Sequence, residues 1–170
     1  MRLLRPHPKN TTSGFTLLEV LAVVVIVAIL GAIAAPSWIS YANRQRISAV
    51  ESDLLQVFKQ AQQDAIQERR NVTVTINTLE PLPTVDTDGF TQVIGPDELA
   101  PNTIGMLALG PVPGPSQITF DYQGMVSADD VPFVVTISPA NSSAQQCVIV
   151  ATILGTLKTA RDAECDALAL

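Results

Sequence analysis

One carboxylate interrupts a long apolar stretch. Between Phe15 and Asn43 the only charged side chain is Glu19, and Val20 to Ala35 carries no charge at all. A helix needs about 20 apolar residues to cross a bilayer, so Leu17 to Tyr41 is long enough to span. A charge at the edge of such a segment is costly in lipid and reads as functional. It asks for a compensating cation, and another chain can supply one. At 170 residues the chain has room for one anchor and one small domain.

The residues around the acid are distinctive. Gly14-Phe15-Thr16-Leu17-Leu18-Glu19 follows a short basic leader with Arg2, Arg5 and Lys9. This stretch resembles the processing site of type IV pilins and of type II secretion pseudopilins. The resemblance implies cleavage between Gly14 and Phe15 by a prepilin peptidase, N-methylation of Phe15, and a role for Glu19 in assembly. Residues 1–14 are then a leader, 15–41 a transmembrane and filament-core helix, 42–70 its amphipathic continuation, and 71–170 an extracytoplasmic β-domain. Cations before the apolar run put the N-terminus in the cytoplasm and the domain across the membrane. Gly31 and Pro36 interrupt the helix, and Pro36, lacking a backbone donor, is expected to kink it. Two other readings stand beside this one. A secretory signal peptide would use Ala32-Ile33-Ala34 as its cleavage site, but Glu19 is out of place in an apolar signal core. A plain single-pass anchor leaves Gly14-Phe15 and Glu19 unexplained.

Composition narrows the chemistry. Hydrophobic residues make up 47% and aromatics 5%, so the core must rest on Val, Ile, Leu and Ala. The net charge is -6, and loss of Arg2, Arg5 and Lys9 takes it to about -9. Such a surface is poorly suited to a phosphate backbone. The only histidine, His7, leaves with the leader, and with it go the usual general base and the commonest metal ligand. No nucleotide loop, nucleophile elbow or metal-ligand cluster is present in the sequence. The expectation is a non-enzymatic chain without cofactor or metal. Cys147 and Cys165, in a domain outside the cytoplasm, read as one disulfide. It closes a loop of about 18 residues, worth on the order of 3 kcal/mol in the chain-entropy picture.

The remainder reads as α+β: a long helix laid on an antiparallel sheet. From Trp38 to Arg70, Ile47, Val50, Leu54, Phe58, Ala61 and Ala65 recur three or four apart, with most charges off that stripe. Arg69-Arg70 suits the helix C-terminal dipole. The period then changes to two. Val72–Ile76, Phe90–Ile94, Ile118–Tyr122, Val131–Ile137 and Cys147–Thr152 are predicted strands of a meander, with Gln123-Gly124 turning into Met125-Val126. Proline-rich loops separate them. Phe120 to Val126, and Cys147 to Val150 with Gly155 downstream, resemble the β-domain of GspH/FimT-type minor pilins. This resemblance implies a minor subunit of a type IV pilus, or alternatively a secretion pseudopilin. Its implied partners are other subunits, the prepilin peptidase and methyltransferase, an inner-membrane assembly platform, and membrane lipid before assembly. A third reading is a filament-displayed adhesin or DNA-binding module. Lys158 and Arg161 are the DNA-binding candidates, but Asp162, Glu164 and Asp166 follow them, so nucleic acid is not expected as a partner. Asp86-Thr87-Asp88-Gly89 has calcium-loop acid spacing without the ligand count, and reads as a turn. Asp129-Asp130 reads as a loop. Asn71-Val72-Thr73 and Asn141-Ser142-Ser143 match glycosylation sequons.

Overall fold

Backbone contacts divide the chain at Ile39/Ser40, two residues before the expected end of the anchor. The computed structural model describes residues 14–78, 81–110, 116–140 and 143–168. Residues 1–13 of the leader, with Arg2, Arg5, His7 and Lys9, lie outside these residues, as do 111–115 and most of the second sequon.

Helix α1 runs from Leu17 to Glu68, a span that includes Gly31 and Pro36, the latter without a backbone donor. In the first unit, Leu17–Ala34 has a mean hydropathy of 2.9, and none of it is buried within the chain. A helix that is apolar all round needs lipid or other helices about it. In the second unit the predicted stripe is buried: Ile47, Val50, Leu54, Phe58, Ala61 and Ala65, joined by Val57. Phe58 is the hub, with ring centroids 6.5 Å from Phe120 and 6.4 Å from Phe133 in edge-to-face geometry.

Two four-stranded antiparallel sheets share this helix, where one was expected. The strands are β1 (Val72–Asn77), β2 (Thr84–Thr87), β3 (Phe90–Val93), β4 (Ile104–Leu109), β5 (Gln117–Phe120), β6 (Phe133–Pro139), β7 (Gln146–Val150) and β8 (Leu157–Arg161). One sheet has the order β3-β2-β1-β5 and the other β4-β6-β7-β8. Val72, Val74 and Ile76 of β1 and Val148 and Val150 of β7 meet the helix stripe in one core. The reverse face of the second sheet buries a smaller cluster of Val134, Cys147, Ile149, Ala160 and Cys165. The short helix α2 (Ala163–Leu168) supplies Cys165 to it, joined to Cys147 by the expected disulfide. Covered on both faces, all five residues of β7 are buried.

Several local expectations need correction. Strands β2, β4 and β8 were not anticipated. Met125-Val126 is not a strand: Asp121 Oδ1 accepts from the Gln123 and Met125 backbone N–H groups (2.9 and 2.8 Å), closing a turn that leads to the other sheet. Ala128–Asp130 is a turn of 3-10 helix rather than a loop. The long helix stops at Glu68, not Arg70. Arg69 adopts a left-handed conformation (φ 52°), and the Arg70 N–H reaches the Ala65 carbonyl at 3.2 Å. This is a Schellman-type end with arginine in the position glycine usually takes. Arg70 turns away from the helix dipole to pair with Glu68 and Asp88.

Candidate processing and assembly site

The N-terminal residues form a small, legible geometry. Thr16 precedes the first helical residue, and its Oγ1 accepts from the Glu19 backbone N–H at 3.2 Å. Its carbonyl accepts from the Val20 N–H, also at 3.2 Å. Thr16 is therefore the N-cap, and Glu19 stands at the third helical position, the spacing of a capping box. The motif thus encodes its own helix start. An acid in the first turn is also favoured by the helix dipole. Sequence reasoning treated Glu19 as a charge awaiting another chain and missed the Thr-x-x-Glu spacing that shows this local role.

The Gly14–Phe15 peptide lies just outside that cap. Phe15 is 80% exposed, and a Cβ placed on Gly14 would meet nothing within 4 Å. Among the described residues nothing crowds position 14. Gly31 is likewise open, with nothing within 4 Å of an added Cβ. It leaves a flat spot on the helix surface where another helix can approach closely.

The other candidates sit in the domain. Lys158 and Arg161 are both on β8 but three residues apart, so they point to opposite faces of the strand. They do not make one patch. Arg161 faces Glu51, an acid of the long helix that sequence reasoning set off the buried stripe. Glu51 is buried, and burial raises its pKa, partly offset by the Arg161 charge and a hydrogen bond from Thr159. Beside it, Gln146 Nε2 donates to Ser48 Oγ at 2.9 Å. Asp86 and Asp88 are used within their hairpin. Asp86 accepts from Gly89 N–H and Thr91 Oγ1, both at 2.9 Å. Asp88 accepts from Thr73 N–H at 3.0 Å and pairs with Arg70. The Thr73 bond lowers the Asp88 pKa most, and Arg70 adds to it. Positive φ at Asp88 and Gly89 (51° and 87°) makes this the tight two-residue hairpin turn. Among the described residues no group of acids, histidines or cysteines could hold a metal ion.

The family described as "Prokaryotic N-terminal methylation motif" matches residues 9–35. A search of curated proteins gave no match. Among solved structures, the type IV minor pilin FimU of Pseudomonas aeruginosa PAO1 superposes with a TM-score of 0.52 at 11% identity, covering 71% of this chain and 92% of FimU. A second FimU crystal form gives 0.48 at 11% identity, over 66% and 91% of the two chains. The minor pseudopilin EpsH of the Vibrio cholerae Type 2 Secretion System gives 0.48 at 16% identity, over 68% and 96%. A methylation motif at the mouth of an apolar helix is here continued into an α+β domain with the fold seen in FimU. The likeness to FimU, at 11% identity, is one of fold. Among the described residues, one N-terminal apolar helix fits a membrane-spanning segment.

Proposed function

We propose that this chain is a minor subunit of a type IV pilus, held in the bacterial inner membrane with its N-terminus cytoplasmic until it enters the filament. A prepilin peptidase cuts between Gly14 and Phe15, and the new Phe15 amine is methylated. The apolar helix then exchanges lipid for the helices of other subunits on the assembly platform, loosening around Gly31 and Pro36 as it packs. Glu19 of one subunit neutralises the Phe15 amine of its neighbour. In low dielectric the pair attracts strongly, and either charge alone is heavily penalised. The pair therefore sets register as well as affinity.

The observation that carries this reading is the exposed Gly14–Phe15 peptide beside a capped helix start, within residues that match the methylation motif. Two substitutions at Glu19 separate its roles. Glu19→Gln removes the charge but keeps a side chain suited to the capping box; Glu19→Val removes both. Both variants should be cleaved normally, and both should be depleted at least about tenfold from sheared filaments, since an unpaired buried charge costs more than 1.4 kcal/mol. Immunoblots of membrane and filament fractions give the readout. Normal filament entry of Glu19→Gln would refute the pairing.

A further inference from the structure

A groove runs along the solvent side of the long helix, beneath the edge hairpin. It consists of two adjoining hollows of about 300 and 160 Å³ that share Val57, Gln60 and Gln92. Gln56, Gln60 and Asp64 stand four residues apart on one helix face, spaced by a rise of about 6 Å. Gln92 faces them from β3, and the ring of Phe90 forms the lip, 84% exposed. None of these four polar side chains hydrogen-bonds another described residue. Thr87, which also lines the larger hollow, has its hydroxyl oxygen buried without a partner.

The chemistry of the lining restricts what fits. Its only cation, Arg70, is already paired with Glu68 and Asp88, so nothing is left for an anion. Asp53 is engaged by the Gly95 N–H at 2.8 Å, which leaves Asp64 as the one unengaged carboxylate at the groove, too few oxygens for a hard cation. Two amides and a carboxylate in a row, with a third amide opposite, suit neither an alkyl chain nor a lipid tail. They suit a neutral ligand that presents donors and acceptors at regular intervals. An exposed aromatic ring beside them offers a flat face to polarised C–H groups. Few convergent polar groups with an apolar wall is the usual make-up of a small-molecule site.

We propose that this groove binds a neutral oligosaccharide, with Gln56, Gln60 and Asp64 bonding the hydroxyls of successive sugar rings and Phe90 stacking on one ring face. The Arg70–Asp88 pair and the Thr73–Asp88 bond hold the hairpin that carries Phe90 and Gln92, so the groove is framed before a ligand arrives. The proposal is separate from N-terminal processing, and the unprocessed chain should bind as well as the mature one.

Saturation-transfer NMR on the full chain, in a zwitterionic detergent without a sugar headgroup, tests it. The probes are cellotetraose, maltotetraose and N-acetylchitotetraose. Transfer to at least one is expected, weakened by about tenfold or more in Phe90→Ala and in Gln60→Ala. Both side chains are exposed, so the melting temperature should not change in either variant, which separates lost binding from lost folding. Transfer to none of the three sugars overturns the proposal. So does transfer that survives both substitutions unchanged. Either result leaves the pilin reading untouched.

Discussion

Glu51 and Asp88 respond to pH in opposite directions. Burial raises the Glu51 pKa above its ordinary 4.5, so its neutral form suits the fold better. Its contribution is fully present below the unfolded pKa and is lost as pH rises through the raised folded value. The Thr73 N–H and Arg70 lower the Asp88 pKa below its ordinary 3.8, so its contribution is present above that value and lost as pH falls through the depressed one. Melting temperatures of the full chain between about pH 2 and 7 should show both effects. Glu51→Gln is expected to remove the fall in stability above pH 4.5, and Asp88→Asn to flatten the loss below pH 3.8. A Glu51→Gln curve parallel to the parent across the upper window would contradict the burial argument. Charge patterning showed Glu51 only as an acid near an apolar stripe. Its burial depends on β8 closing over it, and β8 brings Thr159 and Arg161 from over a hundred positions away in the sequence.

At the level of elements, the far end of the long helix is fastened by one side chain. Gln62 Nε2 donates to the Gly124 carbonyl at 2.8 Å and to the Leu154 carbonyl at 3.3 Å, tying together the loops that leave β5 and β7. Gly155 has φ 70°, and a Cβ there would sit 2.4 Å from Gln62 Nε2 and 2.7 Å from the Gly124 carbonyl oxygen. Gly155→Ala should therefore cost about 1–3 kcal/mol, read by denaturant unfolding, with amide exchange quickening first in these two loops. The disulfide fastens the opposite face of the second sheet. Replacing Cys147 and Cys165 by alanine should cost about 3 kcal/mol for its 18-residue loop, with the reduced parent showing a similar loss. The strands that sequence reasoning missed share a cause. Thr84–Thr87 runs into turn acids, Ile104–Leu109 is almost continuously apolar, and Leu157–Arg161 carries two cations, so none shows clean alternation. Val72–Asn77 alternates cleanly and was anticipated to within a residue.

The molecule as a whole joins two regions of very different legibility. The helix stripe and the N-terminal motif are local patterns, and both could be read directly: the six stripe residues are all buried, and the motif residues lie at and just before the helix start. The division into two sheets could not be read, because it rests on non-local pairing. β1 pairs with β5, some forty residues away, and the turn after β5 crosses to the other sheet instead of closing a hairpin. The sugar groove was invisible for the same reason, since its two walls come from α1 and from the hairpin that follows β1. Among the described residues the apolar half of the helix is not buried, which accords with the proposed passage from lipid to sister helices. That account requires the apolar stem to stay on the mature protein. Mass spectrometry of the mature N-terminus, on protein taken from cell membranes, tests this most directly. The expected species begins at an N-methylated Phe15; one beginning near Ala35 or Pro36, with Glu19 and its helix gone, would contradict the account.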